Sequence, residues 1–258
     1  MDEMKSYMEQ SLSRVPGRVS CYYKNLVTGE TFGYQEEKLM MAASVIKLFV
    51  MTEAFARIEA GELEADRLIT VKREDCVPSC GALTYLHDGI QVTVMDLITL
   101  MIILSDNTAT NVLIDLLGMD AINKRIRSLG FEKTILQRKM FEYEKAALGF
   151  QNYITAKEVG ELLERMYKGT LVSPAASEKM ISIMKNQQLN HKIPYFIEPL
   201  ENPPEIAHKT GEDDGITHDV GIVFAREPFV ICFCGNETSV TVFERVMGEI
   251  SLKLAKKL

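Results

Sequence analysis

The 258-residue sequence lacks an apolar run of the roughly 18 residues that a membrane-spanning helix requires. Its acidic start, from Met1 to Met8, also lacks the apolar stretch of a secretory signal peptide. We therefore expect no membrane span. The missing signal predicts either a cytoplasmic protein or an exported one whose signal is not part of this sequence.

An excess of positive charge is also missing, because the net charge is −7 and acidic and basic residues are mixed along the chain. A nucleic acid or an anionic membrane surface is therefore not expected as a partner. The five cysteines show no disulfide rhythm. Neither Cys76 and Cys80 nor Cys232 and Cys234 have His or Cys partners at zinc spacing, so we expect neither a metal nor another cofactor.

The sequence does contain apolar residues at helical spacing through its middle and strand-like runs near both ends. Helices are predicted over 2–14, 44–60, 92–117 with a break at 105–107, 120–130, 155–168, 173–188 and 240–258. Strands are predicted over 18–26, 30–34, 205–209, 219–225 and 229–235, whereas 62–90 and 132–154 show no clear period.

This order of elements predicts an α+β fold in which the first and last strands complete one sheet and the helical middle is inserted as a lobe. We expect a single unit over residues 1–258. Its sheet lobe is predicted at about 1–40 and 200–258, and its helical lobe at about 41–199. A monomer is the expected state.

The first candidate for chemistry is Ser44, which opens an apolar run and is followed three residues later by Lys47. Positions three apart in a helix share a face, so the Ser44 hydroxyl and the Lys47 amine are predicted to lie side by side. Apolar surroundings lower the pKa of a lysine, and a neutral amine beside a hydroxyl can activate a nucleophile. The alternative is a helix start with a lysine that reaches water, and Ser182 with Lys185 repeats the spacing.

A second motif, Ser105-Asp106-Asn107, falls where one predicted helix stops and the next begins. Short polar side chains at such a break can face a cleft, where Ser105 could relay a proton and Asn107 could bind a substrate amide. The alternative function of these residue types is helix capping.

A third motif, Lys209-Thr210-Gly211, closes a predicted strand. A lysine and a hydroxyl at a strand edge can bind a carboxylate, and the glycine allows a ligand to approach the backbone closely. The alternative is a strand end followed by an ordinary loop.

Together and in this order, the three motifs resemble those of the serine β-lactamase and penicillin-binding protein superfamily. The separations of 61 residues from Ser44 to Ser105 and 104 from Ser105 to Lys209 are similar to those of class A β-lactamases. The likeness covers roughly residues 18–255. It implies a five-stranded antiparallel sheet flanked by the N- and C-terminal helices, with an all-helical lobe inserted.

The resemblance also implies a role for each motif residue. Ser44 is expected to attack a β-lactam or a related peptide-like amide and form an acyl-enzyme, with Lys47 as its base. Ser105 is expected to pass a proton to the leaving nitrogen. Asn107 is expected to hold the side-chain amide of the substrate, and Lys209 with Thr210 its carboxylate. Gly211 is expected to contribute to substrate binding from the same strand. The backbone N–H of Glu212 is expected to complete an oxyanion hole with that of Ser44.

The sequence departs from class A in the loop that normally carries a glutamate for deacylation. If Arg138 matches the loop arginine, the glutamate position holds Met140, which cannot accept a proton. Glu142 lies two residues later and is a candidate deacylation base, or else a solvated loop acid. A second departure is Val220, which stands before Gly221 where class A often has an arginine.

Three functions follow as hypotheses. The first is a β-lactamase-type serine hydrolase whose deacylation is slow. The second is a penicillin-binding D-alanyl-D-alanine peptidase-like activity, or another amidase or esterase activity, at the same site. The third is a binding or sensing module without turnover.

Overall fold

The computed structural model describes residues 2–258. Its strands are β1 (Arg18–Asn25), β2 (Thr31–Tyr34), β3 (Met40–Met41), β4 (Leu68–Val71), β5 (Ile90–Thr93), β6 (Tyr153–Ile154), β7 (Ile206–Asp213), β8 (Ile216–Val223) and β9 (Phe229–Asn236). Its helices are α1 (Asp2–Ser13), α2 (Lys47–Glu59), α3 (Val94–Ile103), α4 (Asn107–Leu117), α5 (Met119–Ser128), α6 (Tyr143–Ala147), α7 (Ala156–Tyr167), α8 (Pro174–Lys185) and α9 (Val240–Lys257). In the described residues no helix is both long and apolar enough to cross a membrane.

The main sheet has the strand order β2-β1-β9-β8-β7, and every neighbouring pair is antiparallel. The N-terminal strands therefore lie beside the C-terminal ones, which confirms the predicted α+β fold with one five-stranded antiparallel sheet. Strand β7 is at the edge, and the short 3-10 turn Ala43–Ile46 packs against it.

The two faces of this sheet bury different partners because side chains alternate along a strand. Along β9, Phe229, Ile231 and Phe233 join a core with α1 and α9, in agreement with the predicted terminal helices. The intervening residues Val230, Cys232 and Cys234 join the larger core that contains the helices of the middle segment.

Hydroxyl side chains cap three helix starts in the middle segment. Thr93, Thr155 and Ser173 each accept a hydrogen bond from a backbone N–H in the first turn of α3, α7 and α8. Each hydroxyl thereby satisfies an N–H that has no partner inside the helix. These three boundaries could be predicted because a cap is a local interaction.

The structure differs from the sequence prediction at β7, which was expected to end at Lys209. Instead, β7 continues to Asp213 and pairs with β8 through a tight turn at Asp214 and Gly215, whose φ is +65°. The Lys209-Thr210-Gly211 motif therefore lies inside a strand and does not close it. The polar residues that follow Gly211 have low strand propensity, and pairing with β8 overrides that preference.

The sequence prediction also lacks several short elements, most of them in the two segments predicted as irregular. Strands β4 and β5 pair with each other, and β3 pairs with β6. Helix α6 lies in the loop before β6. These pieces are too short for hydrophobic periodicity to identify.

A buried hydrogen-bonded pair connects β7, β8 and the segment before β7. His208 Nδ1 lies 2.8 Å from Asp219 Oδ1, and Asp219 Oδ2 accepts a hydrogen bond of 2.9 Å from the N–H of Ile193. The other ring nitrogen of His208 lies 3.1 Å from Asn190 Oδ1. Asp219 thus fixes the 190–193 segment to the sheet.

Asp219→Ala is expected to lower the free energy of unfolding by about 3–5 kcal/mol, because a buried histidine and a buried backbone N–H lose their acceptor. Urea denaturation of the wild-type and variant chains measures the difference. Asp214→Ala removes an exposed carboxylate from the adjacent turn and should change stability by about 0.5 kcal/mol or less. A loss below about 1 kcal/mol for Asp219→Ala would contradict the anchoring function of this pair.

Candidate active site

A cavity of about 620 Å³ lies between the edge of the sheet and the helices, and Ser44 lines it. Ser44 stands in the 3-10 turn that precedes α2 and is half-buried. The preceding residue, Ala43, has a φ of +42°, a backbone conformation that costs energy for a residue with a side chain. The rest of the fold therefore stabilises a strained backbone conformation at Ala43, next to the serine that lines the cavity.

Lys47 is fully buried at the first position of α2. Its Nζ lies 2.7 Å from the carbonyl oxygen of Ser105, 3.1 Å from Ser105 Oγ and 2.8 Å from Asn107 Oδ1. Burial, reinforced by the nearby charge of Lys209, lowers the pKa of Lys47 well below its usual range. The first and second motifs therefore meet, and the lysine environment favours a neutral amine.

The sequence predicted Ser44 and Lys47 to lie side by side, yet the hydrogen bonds of Lys47 Nζ all lead to the second motif. Helical spacing determines the face of the helix from which the lysine side chain projects, but it does not determine which atom accepts its hydrogen bond. Here the amine contacts three oxygen atoms of the Ser105–Asn107 break. The pair therefore shares an environment in this structure without a direct hydrogen bond.

Lys209 reaches the same serine from the sheet. It is fully buried, and its Nζ donates to Ser105 Oγ over 3.1 Å and to the carbonyl oxygen of Thr210 over 2.7 Å. Burial, with a smaller contribution from the charge of Lys192, lowers the pKa of Lys209 to about 7. Ser105 Oγ is thus placed between two lysine amines, one from α2 and one from β7.

The donors and acceptors around Ser105 match a neutral Lys47 and a charged Lys209. A neutral amine has two hydrogens and one lone pair, so Lys47 can donate to the Ser105 carbonyl and to Asn107 while it accepts the Ser105 hydroxyl hydrogen. Lys209 then donates to the free side of that hydroxyl. The Ser105 hydroxyl is therefore within hydrogen-bond distance of both lysine amines.

The break between α3 and α4 serves both structure and site. Ser105 has a φ of +54°, and Asp106 caps α4 by accepting from the N–H of Ala109 over 2.9 Å. The second carboxylate oxygen of Asp106 accepts from the N–H groups of Ala82 and Leu83. The capping alternative is therefore correct for Asp106, whereas Ser105 and Asn107 line the cavity.

Along β7, Thr210 and Glu212 line the cavity, as expected for residues two apart on a strand. A Cβ at Gly211 would lie 3.0 Å from His218 Cδ2 and 3.1 Å from Val45 Cγ2. Glycine is therefore needed because β7 packs closely against β8 and the Ser44 turn. The sequence analysis attributed this glycine to the close approach of a ligand. The atoms nearest to the position of a Cβ belong instead to protein side chains.

Backbone strain is concentrated at the cavity. Four of the seven non-glycine residues with positive φ in the described chain line it, and these are Ala43, Ser79, Ser105 and Phe141. Each such residue costs of the order of 1–3 kcal/mol and persists only where its surroundings enforce it. The clustering marks this cavity as the part of the protein in which geometry is maintained against local preference.

Met140 lines the cavity, in agreement with its expected position in the loop. Asn111, one turn after Asn107 on α4, donates to the Met140 carbonyl over 2.9 Å and accepts from its N–H over 2.8 Å. Asn111 was not singled out from the sequence, although its i+4 position relative to Asn107 places both on one face. The backbone at Met140 is therefore fixed at the cavity.

The structure does not bring Glu142 to the cavity. Its carboxylate accepts from the N–H of Lys139 over 2.7 Å and lies 3.2 Å from Lys145 Nζ. These contacts lower the pKa of Glu142 against the opposing effect of burial, which is the largest single influence. In this conformation Glu142 organises the loop around α6.

Sequence reasoning missed a third buried lysine. Lys192 Nζ lies 2.9 Å from Glu212 Oε1 and 3.2 Å from the carbonyl oxygen of His218. Val220, which stands where an arginine was sought, is buried in the core. Lys192 comes from an irregular segment with no period or motif, so the sequence carries no signal for it.

One group of residues in the described chain has the composition of a metal site. His191, Glu212 and Glu244 place three ligand atoms within 4.8 Å of one another. The ammonium of Lys192 already lies against Glu212, so the position holds a cation of the protein itself.

The resemblance stated above implies that Lys209 binds a substrate carboxylate, and the pKa of Lys209 then predicts how acylation by such a substrate depends on pH. Lys209 is charged below about pH 7 and loses its charge above it, so attraction for a carboxylate falls as pH rises. We expect the second-order acylation rate with penicillin G to fall by about tenfold between pH of about 7 and about 9. In Lys209→Arg the guanidinium stays charged and this decline should disappear. Equal declines in both proteins would contradict the assignment.

The sequence and the fold of this chain are similar to those of known proteins. Residues 3–258 match the family described as the beta-lactamase enzyme family. A beta-lactamase of Rhodobacter capsulatus is 28% identical over 188 residues, which cover 72% of this chain and 63% of that protein, less than two thirds of its length. The crystal structure of a beta-lactamase from Sphaerobacter thermophilus is 28% identical, with a TM-score of 0.87 and coverage of 100% of this chain and 97% of that one. An ancestral class A beta-lactamase has 24% identity, a TM-score of 0.89 and coverage of 99% and 100%, which shows the shared fold.

Proposed function

Because the chain belongs to the beta-lactamase enzyme family, we propose that it is a serine hydrolase that forms an acyl-enzyme at Ser44 with β-lactams or related amides and releases the acyl group slowly. The observation that carries the proposal is the position of Ser105 between the amines of Lys47 and Lys209, beside a cavity that Ser44 lines. No cofactor is part of the proposal.

Acylation proceeds by transfer of the Ser44 hydroxyl proton toward the neutral Lys47 as Oγ bonds to the amide carbonyl carbon. The carbon–nitrogen bond then breaks, and the Ser105 hydroxyl gives its proton to the leaving nitrogen. Ser105 recovers a proton from Lys47, so the enzyme ends neutral at both groups with an ester at Ser44. The backbone N–H groups of Ser44 and Glu212 stabilise the oxyanion, where one donor contributes about 10²–10³ in rate.

Substrate binding is assigned to the residues around the cavity. Asn107 holds the substrate amide, and Lys209 with Thr210 holds its carboxylate, while Gly211 allows β7 to sit close to Ser44. Both lobes supply essential groups, so we propose that the sheet lobe of 1–40 and 200–258 and the helical lobe of 41–199 form one catalytic unit. The chain is proposed to act as a monomer on a small molecule.

Slow release is proposed because the loop position that would hold a base holds Met140. In this conformation the carboxylate of Glu142 is engaged by Lys139 and Lys145. Asp106 is not available either, since both of its oxygens accept backbone N–H groups. Water therefore lacks a well-placed carboxylate for attack on the ester.

The kinetic trace with a chromogenic cephalosporin tests the proposal. We expect a burst of about one equivalent followed by slow turnover in the wild-type chain, and neither phase in Ser44→Ala. Sustained fast turnover without a burst would contradict slow deacylation. Equal traces from the two proteins would contradict Ser44 as the nucleophile.

The second candidate is a penicillin-binding peptidase-like or other amidase or esterase activity, and Met140 at the cavity favours it. Such a site acylates with a β-lactam and retains the adduct, while it turns over a peptide ending in D-alanyl-D-alanine or a simple ester. Release of D-alanine or of an alcohol, absent in Ser44→Ala, would support this candidate. A binding or sensing module would give a stable complex and no product.

A further inference from the structure

A carboxylate of the protein occupies a cationic position at the cavity. Glu212 lines the cavity and its side chain is 44% exposed, whereas the side chain of Lys192 beneath it is fully buried. Glu212 Oε1 lies 2.9 Å from Lys192 Nζ and 3.1 Å from His191 Nε2. One oxygen of Glu212 thus serves two basic groups.

The lysine in this pair is held in place. Lys192 Nζ also donates to the carbonyl oxygen of His218 over 3.2 Å, and the neighbouring Ile193 is fixed to Asp219 through its N–H. Glu244, the other carboxylate nearby, lies 3.7 Å away and accepts from Thr217. Glu212 is therefore the partner of Lys192 that lines the cavity, and loss of its charge would leave Lys192 without its nearest carboxylate there.

The charge of Glu212 is permanent under ordinary conditions. The hydrogen bond from His191, with the charge of Lys192, lowers the pKa of this carboxyl to about 2 against the opposing effect of burial. Glu212 follows Thr210 by two residues, so both project from the same face of β7. A substrate carboxylate bound at Thr210 and Lys209 meets a fixed negative charge beside it.

We propose that Glu212 is a specificity-determining residue whose carboxylate takes the place of a substrate anion at Lys192, so that the site acylates with neutral and anionic substrates at similar rates. The inference rests on the proposed function and names its substrate class, which includes neutral amides and esters as well as carboxylate-bearing lactams. Loss of the Glu212 charge frees Lys192 for a substrate carboxylate and converts the site to one that prefers anions.

The test compares penicillin G with its methyl ester, which differ only in the charge of the carboxyl group. The second-order acylation rate is measured for both compounds by mass spectrometry, and their ratio is the readout. We expect Glu212→Gln to raise the ratio of anion to ester by about tenfold, the effect of one unit charge at about 6 Å in a partly wet site. Glu212→Gln with Lys192→Met should return the ratio to the wild-type value.

Asp214→Asn is the matched control, because it removes one exposed negative charge from the same rim without a contact to Lys192. It should change the ratio by less than about twofold. An unchanged ratio in Glu212→Gln, or an equal gain in Asp214→Asn, overturns the assignment to Glu212. Absence of any Ser44 adduct in the wild-type chain with both compounds would instead overturn the proposed function, and the inference with it.

Discussion

Lys47→Met is expected to slow acylation of Ser44 by about 10²–10⁴-fold, the usual contribution of a positioned general base. Lys47 contacts the Ser105 hydroxyl, and burial lowers the pKa of Lys47 well below its usual range. The nearby carboxylate of Asp106 is saturated by backbone donors. Met140 has no basic atom, so no residue at the loop position takes over the function of the base.

Methionine is a suitable replacement because it fills a similar volume in an apolar site without an amine. The variant should fold at least as well as the wild type, since a buried amine is expensive to desolvate. Lys185→Met is the control, because Lys185 belongs to the other Ser-x-x-Lys match and contacts Glu205. Acylation by Lys185→Met should stay within about twofold of the wild type. A loss below about tenfold in Lys47→Met would exclude Lys47 as the base.

Met140→Glu is expected to shorten the lifetime of the acyl-enzyme by about 10²–10⁴-fold. The Met140 side chain lines the cavity, and Asn111 fixes its backbone on both sides. A glutamate there would present a carboxylate to water at the Ser44 ester from a rigid position. The acylation rate should change much less, since Lys47 remains the base for that step.

Met140→Gln separates the chemistry of a base from a change of polarity. Glutamine matches glutamate in size and can bind water, but it cannot accept the proton. Decay of the adduct, followed by intact mass spectrometry, should therefore be fast in Met140→Glu and slow in Met140→Gln. Equal lifetimes in the two variants would contradict the account of slow deacylation.

The three motifs that the sequence analysis selected lie close together in the structure. Ser105 and Lys209 lie far apart in the chain, and the structure brings their side chains to 3.1 Å. Motif order and separation were informative because the fold fixes which loops and strands meet. Hydrophobic periodicity also predicted the long helices and the strands of the main sheet. In both kinds of element, the buried face repeats at a regular spacing along the sequence.

The parts that could not be predicted depend on contacts between distant segments. Lys192 reaches Glu212 from an irregular segment that Asp219 anchors, and no local pattern encodes this anchor. The full length of β7 depends on pairing with β8, and the reason for Gly211 is the approach of His218 and Val45. The hydrogen-bond acceptors of Lys47 also belong to a distant segment, so only the tertiary structure determines them.

The location of the acyl group shows directly whether Ser44 is the nucleophile. After brief exposure to penicillin G, the protein is digested and its peptides are analysed by tandem mass spectrometry. We expect one acyl group, on Ser44, and no modified peptide in Ser44→Ala. An acyl group on Ser182 or another residue, or an unmodified Ser44 in a protein that consumes the lactam, would contradict this expectation.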